Sequence, residues 1–381
     1  MENNLPIYFD YNASTPICEE ACEVMKNVIT ECFGNPSSDH VYGRMASDKV
    51  ELARKKVSLL LGCKSTEVVF TSGGTESNNW AIKGVAIANK HKGNHIITSQ
   101  IEHPAVIEVC KYLHGQGFEV TYLPVDKYGT VSAKDVEDSI TEETILVSIM
   151  HANNETGAIQ PIEEIGKITR QKGVLFHVDA SQSIGKIAVD VEKLGVDLLS
   201  VAAHKLYGPK GIGALFIKEG VILEKFMHGA NHERGFRAGT ENVIEIVGFG
   251  EAAEVARIDF EKNVFHMQET RDILKSMILN SGIDCIVNGY SQNCLPNTLS
   301  ISFKDILAGD ILHSLPEIAA SSGSACHSGC VDYSTVLKAM NVPSEYALGT
   351  LRLSTGKYLS KEDVVFVANL IVKTVRELVM R

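Results

Sequence analysis

Apolar and polar positions along the chain follow two alternating periods. Short β-branched runs at residues 67–71, 95–99, 118–125, 144–150, 174–178 and 196–201 read as buried strands. Between them, apolar residues recur every three or four positions. That spacing predicts helices over 17–29, over 43–61 (stopped by Gly62), from Pro104 to His114, and over 161–171 with proline in its first turn. A short strand at 7–9 and the turn Asp10-Tyr11-Asn12-Ala13-Ser14-Thr15-Pro16 precede all of this. Strands alternating with helices over roughly 200 residues imply an α/β fold, with a mostly parallel sheet covered on both faces. After a long helix at 260–280 the pattern changes to short strands at 284–287, 298–303, 318–320 and 351–354, mixed with helices and closed by one at 361–380. The expected organisation is a large domain at 13–257 and a smaller α+β domain made of 1–12 and 258–381.

In such sheets ligands bind at the carboxyl ends of the strands. His103, Asn154, Asp179 and Lys205 all fall just past predicted strand ends, so one rim should gather them. A lysine ending a buried strand is costly unless it is paired or neutralised. Its free amine is the nucleophile for Schiff-base formation with an aldehyde cofactor. Directly after the strand at 67–71 comes Ser72-Gly73-Gly74-Thr75. A helix cap alone needs only Ser or Thr. The added glycine pair lets backbone N–H groups approach an anion, which points to a phosphate. Residues 321–330 form a stretch of small side chains containing Cys326 and Cys330, and read as a loop.

Composition changes this picture little and excludes a good deal. The chain has 381 residues, 44% of them hydrophobic and 22% charged, as expected of an ordinary globular enzyme. A net charge of −11 argues against nucleic acid or an anionic membrane as the main partner. No run reaches the ~18 apolar residues of a membrane span, and residues 1–6 lack an apolar core, so a cytoplasmic location is expected. The nine cysteines are scattered without a Cys-x-x-Cys pair, so neither a disulfide framework, a metal site nor a resident cluster is indicated.

Taken together, these segments resemble the cysteine desulfurases, members of the class V aminotransferases. The resemblance runs almost end to end. It is carried by Asp10-Tyr11-Asn12-Ala13, Ser72-Gly73-Gly74-Thr75-Glu76-Ser77, Glu102-His103, Asn153-Asn154-Glu155-Thr156-Gly157, Asp179-Ala180-Ser181-Gln182, His204-Lys205, Arg237-Ala238-Gly239-Thr240-Glu241-Asn242, Ser324-Ala325-Cys326 and Leu351-Arg352-Leu353-Ser354. It implies the fold type I architecture of pyridoxal-phosphate enzymes, with Lys205 holding the cofactor. Asp179 would pair with the pyridine nitrogen, Gln182 and Asn154 would orient the ring oxygen, and His103 would stack on the ring and assist proton transfer. Gly74, Thr75 and His204 would hold the phosphate, with Thr240 arriving from the second subunit of a homodimer. Arg352 would clamp the substrate carboxylate, near Asn12 and Asn154. Cys326 would take sulfur from L-cysteine as a persulfide, leaving alanine, and pass it to a sulfur acceptor or iron–sulfur scaffold. A transient cluster ligand at Cys326 is the one metal role the resemblance allows.

Two positions depart from the family pattern. Ala202 stands where many desulfurases carry a serine that contacts the phosphate, and His327 follows Cys326 where threonine is common. Both departures are shared with selenocysteine lyases, which makes L-selenocysteine the alternative substrate. His327 would lower the Cys326 thiol pKa or fill a turn, and Cys330 would resolve a persulfide or be incidental.

Overall fold

The computed structural model describes residues 5–289, 293–327 and 330–380, without side-chain placement at 324–327, 330 and 331. The strands are β1 (Ile7–Tyr8), β2 (Val68–Thr71), β3 (His95–Ser99), β4 (Glu119–Leu123), β5 (Thr144–Ser148), β6 (Leu175–Asp179), β7 (Leu198–Ala202), β8 (Gly213–Ile217), β9 (Cys285–Asn288), β10 (Thr298–Phe303), β11 (Ile318–Ala319), β12 (Ser321–Ser322), β13 (Ser324–His327), β14 (Cys330–Tyr333) and β15 (Thr350–Ser354). Seven of them form the central sheet in the order β2-β8-β7-β6-β5-β3-β4. Neighbours from β7 to β4 are parallel, and only β8 runs against the rest. The mostly parallel α/β sheet expected from the alternation is therefore present. β8 is carried by the apolar run Ala214–Ile217, a signal hidden behind the glycines at 208 and 211.

Every residue of β2, β3, β5, β7 and β8 is buried. Full burial explains their continuous apolar runs, since helices pack on both faces of the sheet. One core holds Phe70, Phe176, Phe216 and Phe249 on one face; another gathers Trp80, Ile82, Ile96 and Leu215 on the other. Helix ends follow local chemistry. Val41–Leu61 and Ile162–Lys172 both stop at left-handed glycines, Gly62 and Gly173, each with φ of 69°. The first helix, Glu19–Glu31, starts later than expected because Cys18 is still extended.

A separate core surrounds the antiparallel sheet β12-β15-β10-β9, and it includes Phe9, Leu274, Ile301, Leu353 and Ile371. Phe9 joins this core from the other end of the sequence because β1 pairs with β11. The stretch expected to be a loop is different in the structure. Ser321–Ser322 pairs with β15, and β13 pairs antiparallel with β14, so that Cys326 lies on a hairpin opposite Val331. Backbone bonds at its base, Gly323 N–H to Thr350 O and Ser334 N–H to Gly323 O, tie this hairpin to the sheet. Serine, alanine and cysteine lack the period-two contrast by which strands are read, so the pattern could not reveal it.

Candidate active site

Because β3, β5, β6 and β7 are adjacent and parallel, the residues that follow them meet at one rim. A cavity of about 340 Å³ opens there, lined by Asn12, Gly74, Thr75, His103, Asn154, Asp179, Gln182, His204, Lys205 and Arg352. Ten of the residues singled out from the sequence thus share one wall. Thr240 is exposed and lies outside this cavity. The Cys326 side chain, with those of His327 and Cys330, lies outside the described residues.

Lys205 ends the helical turn Ala203–Lys205 that follows β7. Its Nζ donates to the carbonyls of Asn12 at 2.6 Å and Ala13 at 3.0 Å. Burial, and then the Arg352 cation, lower its pKa to about 8, against the opposing pull of Asp179 and Asp10. An amine so placed carries a usable free form near neutral pH.

One end of the cavity is built for an anion. Gly73 takes φ 145°, a conformation L side chains rarely adopt, and it caps the helix Gly74–Asn89. A Cβ on Gly74 would stand 3.0 Å from Ser181 Oγ and 3.4 Å from Ala202 Cβ, so the turn sits tightly against both. Gly74 and Thr75, in the first turn of that helix, line the cavity, and the N–H groups of a helix's first turn suit an anion. Glu76 braces the turn: one carboxylate oxygen accepts from Ser72 N–H at 2.7 Å, and Arg237 grips both oxygens. Burial alone would raise this carboxyl; Arg237 and the Ser72 N–H outweigh it and hold it below its ordinary range. His204 pairs with Ser14 Oγ at 3.3 Å, and burial followed by the nearby lysines drives its pKa down to about 4, leaving a neutral ring.

Asp179 closes β6 and lines the cavity. Its Oδ2 accepts from Asn78 at 2.7 Å and its Oδ1 from the Ser181 N–H at 2.9 Å. His103 caps the helix Pro104–His114 by accepting the Ala105 N–H at Nδ1, and burial lowers its pKa. The ring is therefore neutral, with its proton on Nε2 by the logic of that bond.

At the opposite end Arg352 binds Asp10 Oδ1 at 2.7 Å, Ser321 Oγ at 2.9 Å and the Asn154 carbonyl at 3.3 Å. Its buried Nε has no partner among the described residues. Asn12 is fully buried and fully engaged: its amide donates to Asn154 O and Thr298 Oγ1, and its oxygen accepts from Asn297 and Lys186. Gln182 donates from Nε2 to the Asn12 carbonyl at 2.8 Å.

Asn78 and Ser181 line the same cavity, and sequence reasoning passed over both. Asn78 lies one helical turn past Gly74, so the helix period places it beside the same rim; that was the available signal.

The donor set suits pyridoxal phosphate: an amine with depressed pKa, an anion cradle at a glycine-rich helix start, and a carboxylate lining the same cavity. The wider comparisons agree. Residues 7–367 match the family model described as aminotransferase class-V. The chain is 46% identical to the cysteine desulfurase IscS of Dictyoglomus turgidum over 374 residues, covering 98% of this chain and 95% of that one. Identity to the cysteine desulfurase IscS of Methanosarcina thermophila is 47% over 377 residues, covering 98% and 93%. Among solved structures, a NifS-like protein superposes with a TM-score of 0.92 at 40% identity, covering 99% of this chain and 100% of that one. A structure described as SspA in complex with cysteine gives 0.80 at 36% identity, covering 93% and 99%. The chain belongs to the aminotransferase class-V family, and within it to the cysteine desulfurases.

Proposed function

We propose that this cysteine desulfurase works with pyridoxal 5′-phosphate in the rim cavity, takes L-cysteine as substrate, and carries the released sulfur on Cys326. The observation that supports this most is the shared cavity of Lys205, Asp179 and the helix start at Gly74 and Thr75, three groups that a phosphorylated pyridine aldehyde needs at once. When bound, the cofactor supplies an electron sink for the α-carbon of the amino acid. Lys205 provides the amine that holds the aldehyde, and Asp179 keeps the pyridine nitrogen protonated. Gln182 and Asn154 orient the ring oxygen. His103 has Nδ1 committed to the Ala105 N–H, so its Nε2 is the atom that stacks toward the cavity and carries a proton. Gly74, Thr75 and His204 hold the phosphate. The Ser181 hydroxyl, beside Gly74, offers a donor on the side where Ala202 has none. Arg352, which lines the cavity, receives the substrate carboxylate, and Asn12 shapes that end by holding Asn154.

The Cys326 thiolate attacks the substrate sulfur. The carbon–sulfur bond breaks, the carbon fragment takes up a proton and leaves as L-alanine, and one persulfide remains on Cys326. The persulfide then goes to a sulfur acceptor or iron–sulfur scaffold protein. L-Selenocysteine differs only in the chalcogen; the names of the relatives favour sulfur. A homodimer is supported by Thr240, which is exposed outside its own cavity and so is available to another copy. The division into 13–257 and 1–12 with 258–381 is supported by the separate core that includes Phe9. No described helix is long and apolar enough to cross a membrane; a cytoplasmic setting is our reading.

The test adds L-cysteine to purified protein, with and without reductant, and measures alanine and protein-bound persulfide in wild type and Cys326→Ala. Wild type should form both and the variant neither. Equal alanine from the two would refute the persulfide route, and a preference of several orders for L-selenocysteine would reassign the substrate.

A further inference from the structure

One cation behind the cavity wall has no role in the chemistry above. Lys186 is 4% exposed, and the charges acting on it are the cations Lys205 and Arg352 rather than a carboxylate. Its Nζ donates to Gln182 Oε1 at 2.8 Å and to Asn12 Oδ1 at 3.3 Å. Burial first, and then those two cations, push its pKa well below the ordinary lysine range. Lys186 Nζ acts as a donor to both acceptors present.

Those contacts fix the sense of the Gln182 amide. With Oε1 held by Lys186, Nε2 must face the Asn12 carbonyl, which it meets at 2.8 Å, and its second N–H is left for the cavity that Gln182 lines. A flipped amide would set its NH₂ against Lys186 and its oxygen against the Asn12 carbonyl, two like-for-like pairs in a buried place. The same Asn12 carbonyl accepts Lys205 Nζ at 2.6 Å. We propose that Lys186 is a positioning residue that locks Gln182 and Asn12 from behind, so that Gln182 presents an N–H donor to the ring oxygen of the cofactor and the Asn12 carbonyl receives Lys205. Lys186 does not line the cavity, and its hydrogen bonds go to these two neighbours, which do. The inference rests on the reading that the cavity holds pyridoxal phosphate.

A double-mutant cycle with Lys186→Met and Gln182→Ala tests it. Each protein is stripped of cofactor, checked by thermal melting, and titrated with pyridoxal phosphate by absorbance. K186M should bind the cofactor about tenfold more weakly than wild type. On the Q182A background the same substitution should cost less than about threefold, since the amide it orients is gone. Equal losses on both backgrounds, or wild-type affinity in K186M, would overturn the proposal. If K186M does not fold, Lys186→Gln, too short to reach both acceptors, goes through the same cycle under the same criterion. Failure of wild type to bind pyridoxal phosphate would overturn the cofactor reading and this inference together; binding by wild type with an unchanged variant would overturn the role of Lys186 alone.

Discussion

The pKa of Lys205 near 8 has a direct consequence for the cofactor-free protein. At pH 7 such an amine is about one-tenth unprotonated, whereas a lysine at 10.5 is unprotonated at about 0.03%, a ratio of roughly 300. The depression comes first from burial and second from Arg352, while Asp179 and Asp10 oppose it. Competitive acetylation of the apo-protein between pH 5.5 and 10.5, followed residue by residue by peptide mass spectrometry, reads the midpoint of Lys205 against the surface lysines. Wild type should titrate near 8. Arg352→Gln removes a repelling cation, which favours the ammonium and moves the midpoint up; burial remains, so the shift is partial. Asp179→Asn removes an attracting carboxylate and moves it down. Opposite signs in two variants of one cavity are hard to obtain from general loosening. A wild-type midpoint above 10, or shifts of the same sign in both variants, would refute the electrostatic account.

Two further expectations concern the frame of the site. Arg54 and Glu233 form a two-pronged ion pair, with side chains 2% exposed and a third bond from Phe70 N–H to the same carboxylate. It anchors the loop that carries Arg237 and Thr240, so Glu233→Gln should cost about 3–5 kcal/mol in chemical denaturation, because it strands a buried guanidinium; a loss under about 1 kcal/mol would contradict this. Glu102 is fully buried and its carboxyl is raised by burial from 4.5 to about 8, with Oε1 accepting from Ser99 and Met150. A raised folded pKa means the native state holds a proton the unfolded chain has lost, so this contribution is full below pH 4.5 and fades as pH rises through 8. Glu102→Gln should flatten that decline in stability between pH 5 and 8, and an unchanged slope would show Glu102 to be ionised in the native state.

Much of the site was legible because the relevant residues sit where short apolar runs stop. His103, Asn154, Asp179 at the end of β6 and Lys205 after β7 could be placed on one rim from period alone, since a parallel sheet aligns its carboxyl ends, and the Gly73–Gly74 turn after β2 could be read from turn chemistry as an anion cradle. The hairpin at Cys326 was not legible: its small side chains give neither strand nor helix a contrast to follow. Lys186 escaped for another reason. On the sequence it is one lysine among many, and only packing that excludes water from both it and Gln182 turns it into a structural donor.

The sequence by itself determined the α/β alternation, the left-handed helix stops and the residue types that bring amine, carboxylate and anion cradle to one edge, because these depend on local period and on each residue's own conformational limits. Tertiary structure alone decided what lies far apart in the chain: the reversed strand β8, the Arg54–Glu233 clamp across the loop, Asp10 against Arg352, and Asn12 pinned by Asn297 and Lys186. Such contacts take their energy from the water they exclude, and no residue carries that quantity before the chain has folded around it.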